Sequence, residues 1–253
     1  MKRYVAIGDS STEGLEDPDG SGGYRGWANR LAERIASTEG SLLYANLGVR
    51  GKQSGEIRHE QLPAALEMKP DLATVFAGSN DILVHRFDPS DLRDNLEGMM
   101  GSLAAQGALV ITFTLPDLTG VMPIGRFLAQ RVRRMNASIR EAAAATGARM
   151  VDFEACPVAS DLRLWAEDRF HVNAAGHARI CAALAQCLGL PDTNDAWKQP
   201  LPADTTISHW QRFGRDCRWF GRHLLPRFRP GSDEGARFRA KRPRLTSVRV
   251  TPD

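Results

Sequence analysis

Through the first 190 residues, short unbroken apolar runs alternate with stretches of helical periodicity. The runs Tyr4–Ile7, Leu42–Leu47, Leu72–Ala77, Leu109–Phe113 and Arg149–Phe153 are rich in Val, Ile, Leu and aromatic residues. Most of them do not alternate apolar with polar. A strand wetted on one face would do so, whereas a strand covered on both faces of a parallel sheet reads as a continuous run. Between the runs, Trp27, Leu31 and Ile35 fall on one stripe of a predicted helix Gly26–Ala36. Ser90–Gln106 opens on Ser90 as its N-cap candidate behind Pro89 and stops at Gly107. Arg126–Thr146 runs to Gly147, with Arg131, Arg133, Arg134 and Arg140 crowding its outer face, and Ala174–Leu188 closes the series. Strand and helix taking turns predict right-handed crossovers and a doubly wound α/β fold.

After Leu190 the texture changes, so the chain divides into a domain over 1–190 and an extension over 191–253. Seven prolines from Pro191 to Pro252 punctuate the extension, which is dense in Arg and poor in Val and Ile. Residues 197–253 hold 13 Lys and Arg against 5 Asp and Glu, a net +8; the preceding 196 residues hold 20 and 25, a net −5. Within Ser208–Phe228, Trp210, Phe213, Trp219, Phe220, Leu224 and Leu225 interleave with five arginines, predicting an amphipathic basic segment packed on the domain. Disorder is expected beyond Arg229. Contact with an anionic lipid surface, or with nucleic acid, is the rival use of such a segment, though no specific nucleic-acid partner is expected.

Other readings are exclusions. No apolar run of about 18 residues is present to span a bilayer. The basic start Met1-Lys2-Arg3 leads into too short an apolar stretch for a secretory signal, so a cytoplasmic location is expected. Cys156, Cys181, Cys187 and Cys217 form neither a zinc spacing nor a disulfide framework, and Cys181 falls on the apolar face of its helix.

In a doubly wound sheet, ligands bind beyond the C-terminal ends of the strands. Four polar clusters fall there: Gly8-Asp9-Ser10-Ser11, Asn46 through Gly51, Gly78-Ser79-Asn80-Asp81, and Asp168-Arg169-Phe170-His171 before the last helix. Their residue types suit acyl transfer. A serine hydroxyl is a weak nucleophile until a base takes its proton. His171 is the candidate base, since an imidazole can take such a proton and later return it to the leaving alcohol. Asp168 is placed to fix the imidazole tautomer and steady the imidazolium. The backbone N–H groups of Ser10 and Gly51 and the amide of Asn80 are candidate donors to an oxyanion.

These four blocks resemble those of the SGNH hydrolases, the GDSL-type lipases and esterases: Gly8-Asp9-Ser10, Asn46–Gly51, Gly78-Ser79-Asn80-Asp81, and Asp168 with His171 followed by Asn173-Ala174-Ala175-Gly176-His177. The resemblance covers about residues 3–190. It implies a flavodoxin-like three-layer α/β/α sandwich with a five-stranded parallel sheet, and a serine esterase acting on small-molecule carboxylic esters; the short loops around the cleft predict small or short acyl groups. It implies no metal and no organic cofactor. The same site would equally serve an acyltransferase or a carbohydrate or natural-product deacetylase; an inert binding protein with a basic tail is the reading from another class.

Several residues carry rival readings. Ser11 stands where the family usually has Leu, so it competes with Ser10 as nucleophile, caps the segment that follows or lines the pocket. Gly48 competes with Gly51 as the oxyanion glycine. His177 is expected to pack inside the last helix, and His85 and Arg86 to sit in a solvated loop. Asp9 and Asp81 lack the clustered spacing of a calcium loop. The loop Leu115–Phe127, with Pro116, Gly120, Pro123 and Gly125, is expected to form a flexible wall over the site.

Overall fold

The structure of the protein is a computed structural model that describes residues 1–202, 216, 219, 222 and 238–248. The predicted runs become five parallel strands: β1 (Arg3–Gly8), β2 (Leu43–Asn46), β3 (Leu72–Phe76), β4 (Leu109–Phe113) and β5 (Arg149–Val151). Every residue of β3, the middle of the sheet, is buried, as a strand covered on both faces must be. A sixth strand, β6 (Arg242–Ser247), pairs antiparallel with β2, giving the order β5-β4-β3-β1-β2-β6. It adds one antiparallel strand to the five parallel strands expected, and it places ordered structure at 238–248, within the stretch beyond Arg229 where disorder is expected; residues 230–237 and 249–253 lie outside the described residues. The rest of the amphipathic segment Ser208–Phe228 lies outside the described residues, apart from Asp216, Trp219 and Arg222.

The helices are α1 (Ser10–Glu13), α2 (Gly26–Glu39), α3 (Ser54–Glu60), α4 (Leu62–Glu67), α5 (Pro89–Ala105), α6 (Gly125–Thr146) and α7 (Ala174–Leu188). One layer contains α2 packed on α7; the other contains α3, α4, α5 and α6, with α5 against α6. Between them lies a core built from Tyr4, Ile7, Trp27, Leu31, Tyr44, Phe76 and Leu96 among others, all essentially inaccessible. The three-layer sandwich is therefore as expected, with α3 and α4 filling the β2–β3 crossover for which no helix was singled out. The cap of α5 also moves. Asp88 accepts the N–H of Ser90 and Pro89 takes the first helical position, where its missing N–H costs nothing, so Ser90 is not the cap. Gly147 ends α6 in the left-handed conformation, and Asn173 caps α7 by accepting from Ala175 and Gly176.

The chain leaves β1 for β2 on one side and then crosses to β3 on the other. The C-terminal ends of β1 and β3 thus diverge at a topological switch point, where an open α/β sheet offers a crevice.

Candidate active site

Gly8 ends β1, and the residues after it turn sharply into α1. A Cβ at Gly8 would sit 2.3 Å from Thr12 Oγ1 and 2.5 Å from the Phe76 carbonyl, so only glycine lets the chain turn this tightly. The Gln61 side chain fixes that turn from α3 and α4's junction. It accepts the Gly8 N–H at 2.8 Å and donates to the Gly8 carbonyl at 2.9 Å, as a further strand would. Asp9 then caps α1 by accepting the Ser11 N–H at 2.9 Å and also accepts the Ser79 hydroxyl. Burial pushes the Asp9 carboxyl up to about 6, its hydrogen bonds to Ser79 and Ser11 opposing only part of the shift. Ser10 is consequently held in the first turn of a four-residue helix closed by Gly14.

The partner loop precedes α7. Trp165 and Val172 form an antiparallel bridge, Ala166 accepts from Arg169, and the Ala166 N–H donates to the His171 carbonyl, which makes 165–172 a tight hairpin. At its tip, Asp168 Oδ1 accepts the N–H groups of Phe170 (3.0 Å) and His171 (3.1 Å). Asp168 Oδ2 lies 2.6 Å from His171 Nδ1, and His171 Nε2 lies 2.9 Å from Ser10 Oγ. Burial alone would raise the Asp168 carboxyl. The hydrogen bond and charge of His171, with the two N–H donors, outweigh burial and hold it below the usual carboxylate range. The predicted Ser10, His171 and Asp168 thus form one hydrogen-bonded chain. Ser11 stays out of it, because its Oγ accepts from Trp27 Nε1 at 3.2 Å.

The loops after β2 and β3 are tied together beside this chain. Asn80 donates one amide hydrogen to the Lys52 carbonyl at 3.0 Å, which leaves its second N–H without an acceptor among the described residues. Asp81 accepts the N–H and hydroxyl of Ser54 at the start of α3. Glu13, at the end of α1, accepts both the backbone N–H of Arg50 (2.9 Å) and its guanidinium. Gly51 is therefore flanked by two fixed residues, with φ at +79° and its own surface exposed. Gly48 plays a different part. Its N–H is engaged by Asn46 Oδ1, and a Cβ there would meet the Glu13 nitrogen at 2.7 Å. Asn46, fully buried, also donates to the Thr12 carbonyl at 2.7 Å and so joins this loop to α1.

His177 is buried inside α7, as expected. Its Nδ1 accepts the Trp27 N–H, its Nε2 donates to the Leu15 carbonyl, and burial drags its pKa down to about 4. His85 and Arg86 are exposed and stand away from the cavity. The 115–127 loop is less free than expected. Asn136 accepts the Leu115 N–H and donates to its carbonyl, while Leu118, Val121 and Met122 are buried. Residues that sequence reasoning missed are Gln61, Asn136 and the Glu13–Arg50 pair; each is an isolated polar residue whose partner is fixed only by the fold.

A cavity of about 90 Å³ has Ser10 and His171 in its wall. Phe76, Phe113, Phe153, Val158, Leu164 and Trp197 line it, giving an apolar wall.

A model of the GDSL-like lipase/acylhydrolase family matches residues 6–179. No curated protein matches the sequence. Among solved structures, TesA is similar at 24% identity and a TM-score of 0.62, with 74% of this chain and 98% of that chain covered. The lipase/acylhydrolase from Enterococcus faecalis is similar at 23% identity and 0.61, covering 80% of this chain and all of that one. A mutant of Axe2, an acetyl-xylooligosaccharide esterase from Geobacillus, is similar at 18% identity and 0.63, with 76% and 96% covered. At such identities these likenesses speak to the shared fold. The family match spans all four polar blocks and reaches into α7, and the chain belongs to the GDSL-like lipase/acylhydrolase family.

Proposed function

We propose that the protein is a serine esterase that hydrolyses small carboxylic esters with short acyl groups. The observation that carries this reading is the unbroken chain from Ser10 Oγ through His171 to Asp168, at 2.9 and 2.6 Å. Ser10 Oγ attacks the ester carbonyl carbon while its proton passes to His171 Nε2. The tetrahedral oxyanion takes hydrogen bonds from the N–H groups of Ser10 and Gly51 and from the second N–H of Asn80. As the intermediate collapses, the C–O bond to the alcohol breaks and His171 returns the proton to the departing oxygen, leaving an acyl-enzyme. Water, deprotonated by His171, then releases the acid and restores Ser10. Asp168 stays ionised throughout, fixing the imidazole with Nδ1–H toward itself and stabilising the imidazolium.

The cavity supports the short-acyl reading. A cavity of about 150 Å³ holds one benzene; that at Ser10 is smaller, with a mostly apolar wall beside Ser10, Thr114, His171 and Arg179. It suits a short acyl chain.

Fluorophosphonate labelling tests the assignment. Label is expected on the wild type and on Ser11→Ala but not on Ser10→Ala; label that follows Ser11 overturns the choice of nucleophile. A series of p-nitrophenyl esters should peak in kcat/KM at short acyl length.

A further inference from the structure

The family match ends at residue 179, yet the extension beyond it reaches back to the loop that carries Asp168 and His171. Trp219 is buried and donates its indole N–H to the Asp168 backbone carbonyl at 2.6 Å. Its ring lies against Phe170, with centroids 5.7 Å apart, and Phe170 in turn lines the cavity. Asp216 forms an ion pair with Arg169 at 2.7 Å, and the Arg169 guanidinium also lies over the Trp219 ring. Every residue from Asp168 to Phe170 is therefore gripped by the extension.

The grip falls where the backbone needs it. Arg169 has φ at +56°, in the left-handed region that disfavours any residue with a Cβ. Nothing intrinsic to arginine favours that conformation. Its side chain, however, is only 8% exposed and is paired. Releasing Arg169 from its turn would leave a buried guanidinium without its carboxylate and uncover Trp219. The strained residue lies between the carboxylate and the imidazole, so its conformation sets the separation of those two groups. A shift of the turn would lengthen the 2.6 Å bond between Asp168 and His171.

We propose that Trp219 and Asp216 are positioning residues for the reaction: they clamp the Asp168–His171 turn in its left-handed conformation and hold the imidazole in line with Ser10. This rests on the esterase reading above. It assigns to the extension a share of the active site rather than a mere covering role.

The test uses the full chain with Trp219→Phe, Trp219→Ala and Asp216→Asn, assayed on a short-chain p-nitrophenyl ester after circular dichroism and melting temperature show that each is folded. Trp219→Phe keeps a ring and removes one hydrogen bond, so kcat should fall about three- to tenfold. Trp219→Ala also removes the ring, and a displaced catalytic group lowers kcat by roughly 10²-fold. KM should stay within about twofold, because no clamp residue touches substrate. The acid limb of the kcat/KM profile should move to lower pH, since an imidazole less firmly bound to Asp168 is less basic. A general loss of stability would lower the melting temperature and active fraction without moving that limb. Wild-type enzyme that neither labels at Ser10 nor hydrolyses esters would defeat the esterase reading. An active, labelled wild type beside folded Trp219→Phe and Asp216→Asn variants with unchanged kcat and unchanged pH profile would defeat the clamp alone.

Discussion

Two buried ionisable groups close to Ser10 should oppose one another in the pH dependence of stability. His177 is driven down to about 4 from an ordinary 6.5 by burial, with its neutral ring satisfied by the Trp27 N–H and the Leu15 carbonyl. Between those values the unfolded chain binds the proton more readily than the folded one. Stability therefore rises with pH through that window and is lost as pH falls towards 4. Asp9 behaves in the opposite sense. Burial lifts it from 3.8 to about 6, so the folded state holds the proton more readily, and stability falls as pH rises between them. At about 1.4 kcal/mol per pH unit, each group contributes roughly 3 kcal/mol across its window. The two windows overlap, so their contributions nearly cancel in the wild type between about pH 4 and 6. Substituting one group should uncover the other. Asp9→Asn, which keeps an acceptor for the Ser11 N–H, should gain stability steadily relative to wild type as pH rises from 4 to 6. His177→Gln should lose it over the same range. Urea unfolding at half-unit pH steps, with the slope m checked for constancy, reads both quantities. Parallel pH profiles for the wild type and either variant would refute the argument for the residue changed, whatever the absolute loss caused by the substitution.

Three further outcomes are expected. Asn80→Ala should lower kcat by about 10²–10³-fold with the fold intact, as for loss of one oxyanion donor; steady-state kinetics that show a change only in KM would exclude that role. Gly8→Ala should destabilise the protein by roughly 1–3 kcal/mol or more, because Thr12 and the Phe76 carbonyl leave no room for a methyl, and a melting temperature within a degree of wild type would contradict it. Val158→Phe should fill the cavity and move acyl preference towards acetate, measured as the ratio of kcat/KM for acetyl and butyryl esters; an unchanged ratio would place the acyl group elsewhere.

The sheet was legible because burial on both faces writes itself directly into composition: Leu72–Phe76 has no side chain to offer water. The candidate site was legible for a related reason, since Ser10, Gly51, Asn80, Asp168 and His171 follow strand ends or precede a helix, and such positions fall on one rim of an open α/β sheet. What stayed hidden depends on distance along the chain. Nothing near Ser11 announces that Trp27 will hold its hydroxyl, and nothing near Asp168 announces Trp219, 51 residues away. The cap of α5 was misplaced by two residues because Ser90 and Asp88 are both good caps and only the helical position of Pro89 decides between them. Strand β6 was the largest omission. Its residues are Arg, Pro, Leu, Thr and Ser, none of them fully buried, so its extended form comes from pairing with β2 rather than from any apolar pattern of its own. Lys241 helps to anchor it. The ammonium donates to the carbonyls of Glu13, Tyr24 and Arg25, although burial pulls its pKa down to about 8.

That added strand also bears on solubility. Without it, β2 would present a row of free N–H and C=O groups beside Leu43, which is the kind of template on which two molecules zip together and aggregate. With it, the outermost strand carries Pro243, which has no hydrogen to donate, flanked by Arg242 and Arg244, whose like charges repel a second copy. The opposite border needs less protection, because β5 is only three residues long. Shortened versions of this chain that stop before residue 238 would thus trade a guarded margin for an adhesive one, and their yield in solution should suffer even where Ser10, Asp168 and His171 are left untouched.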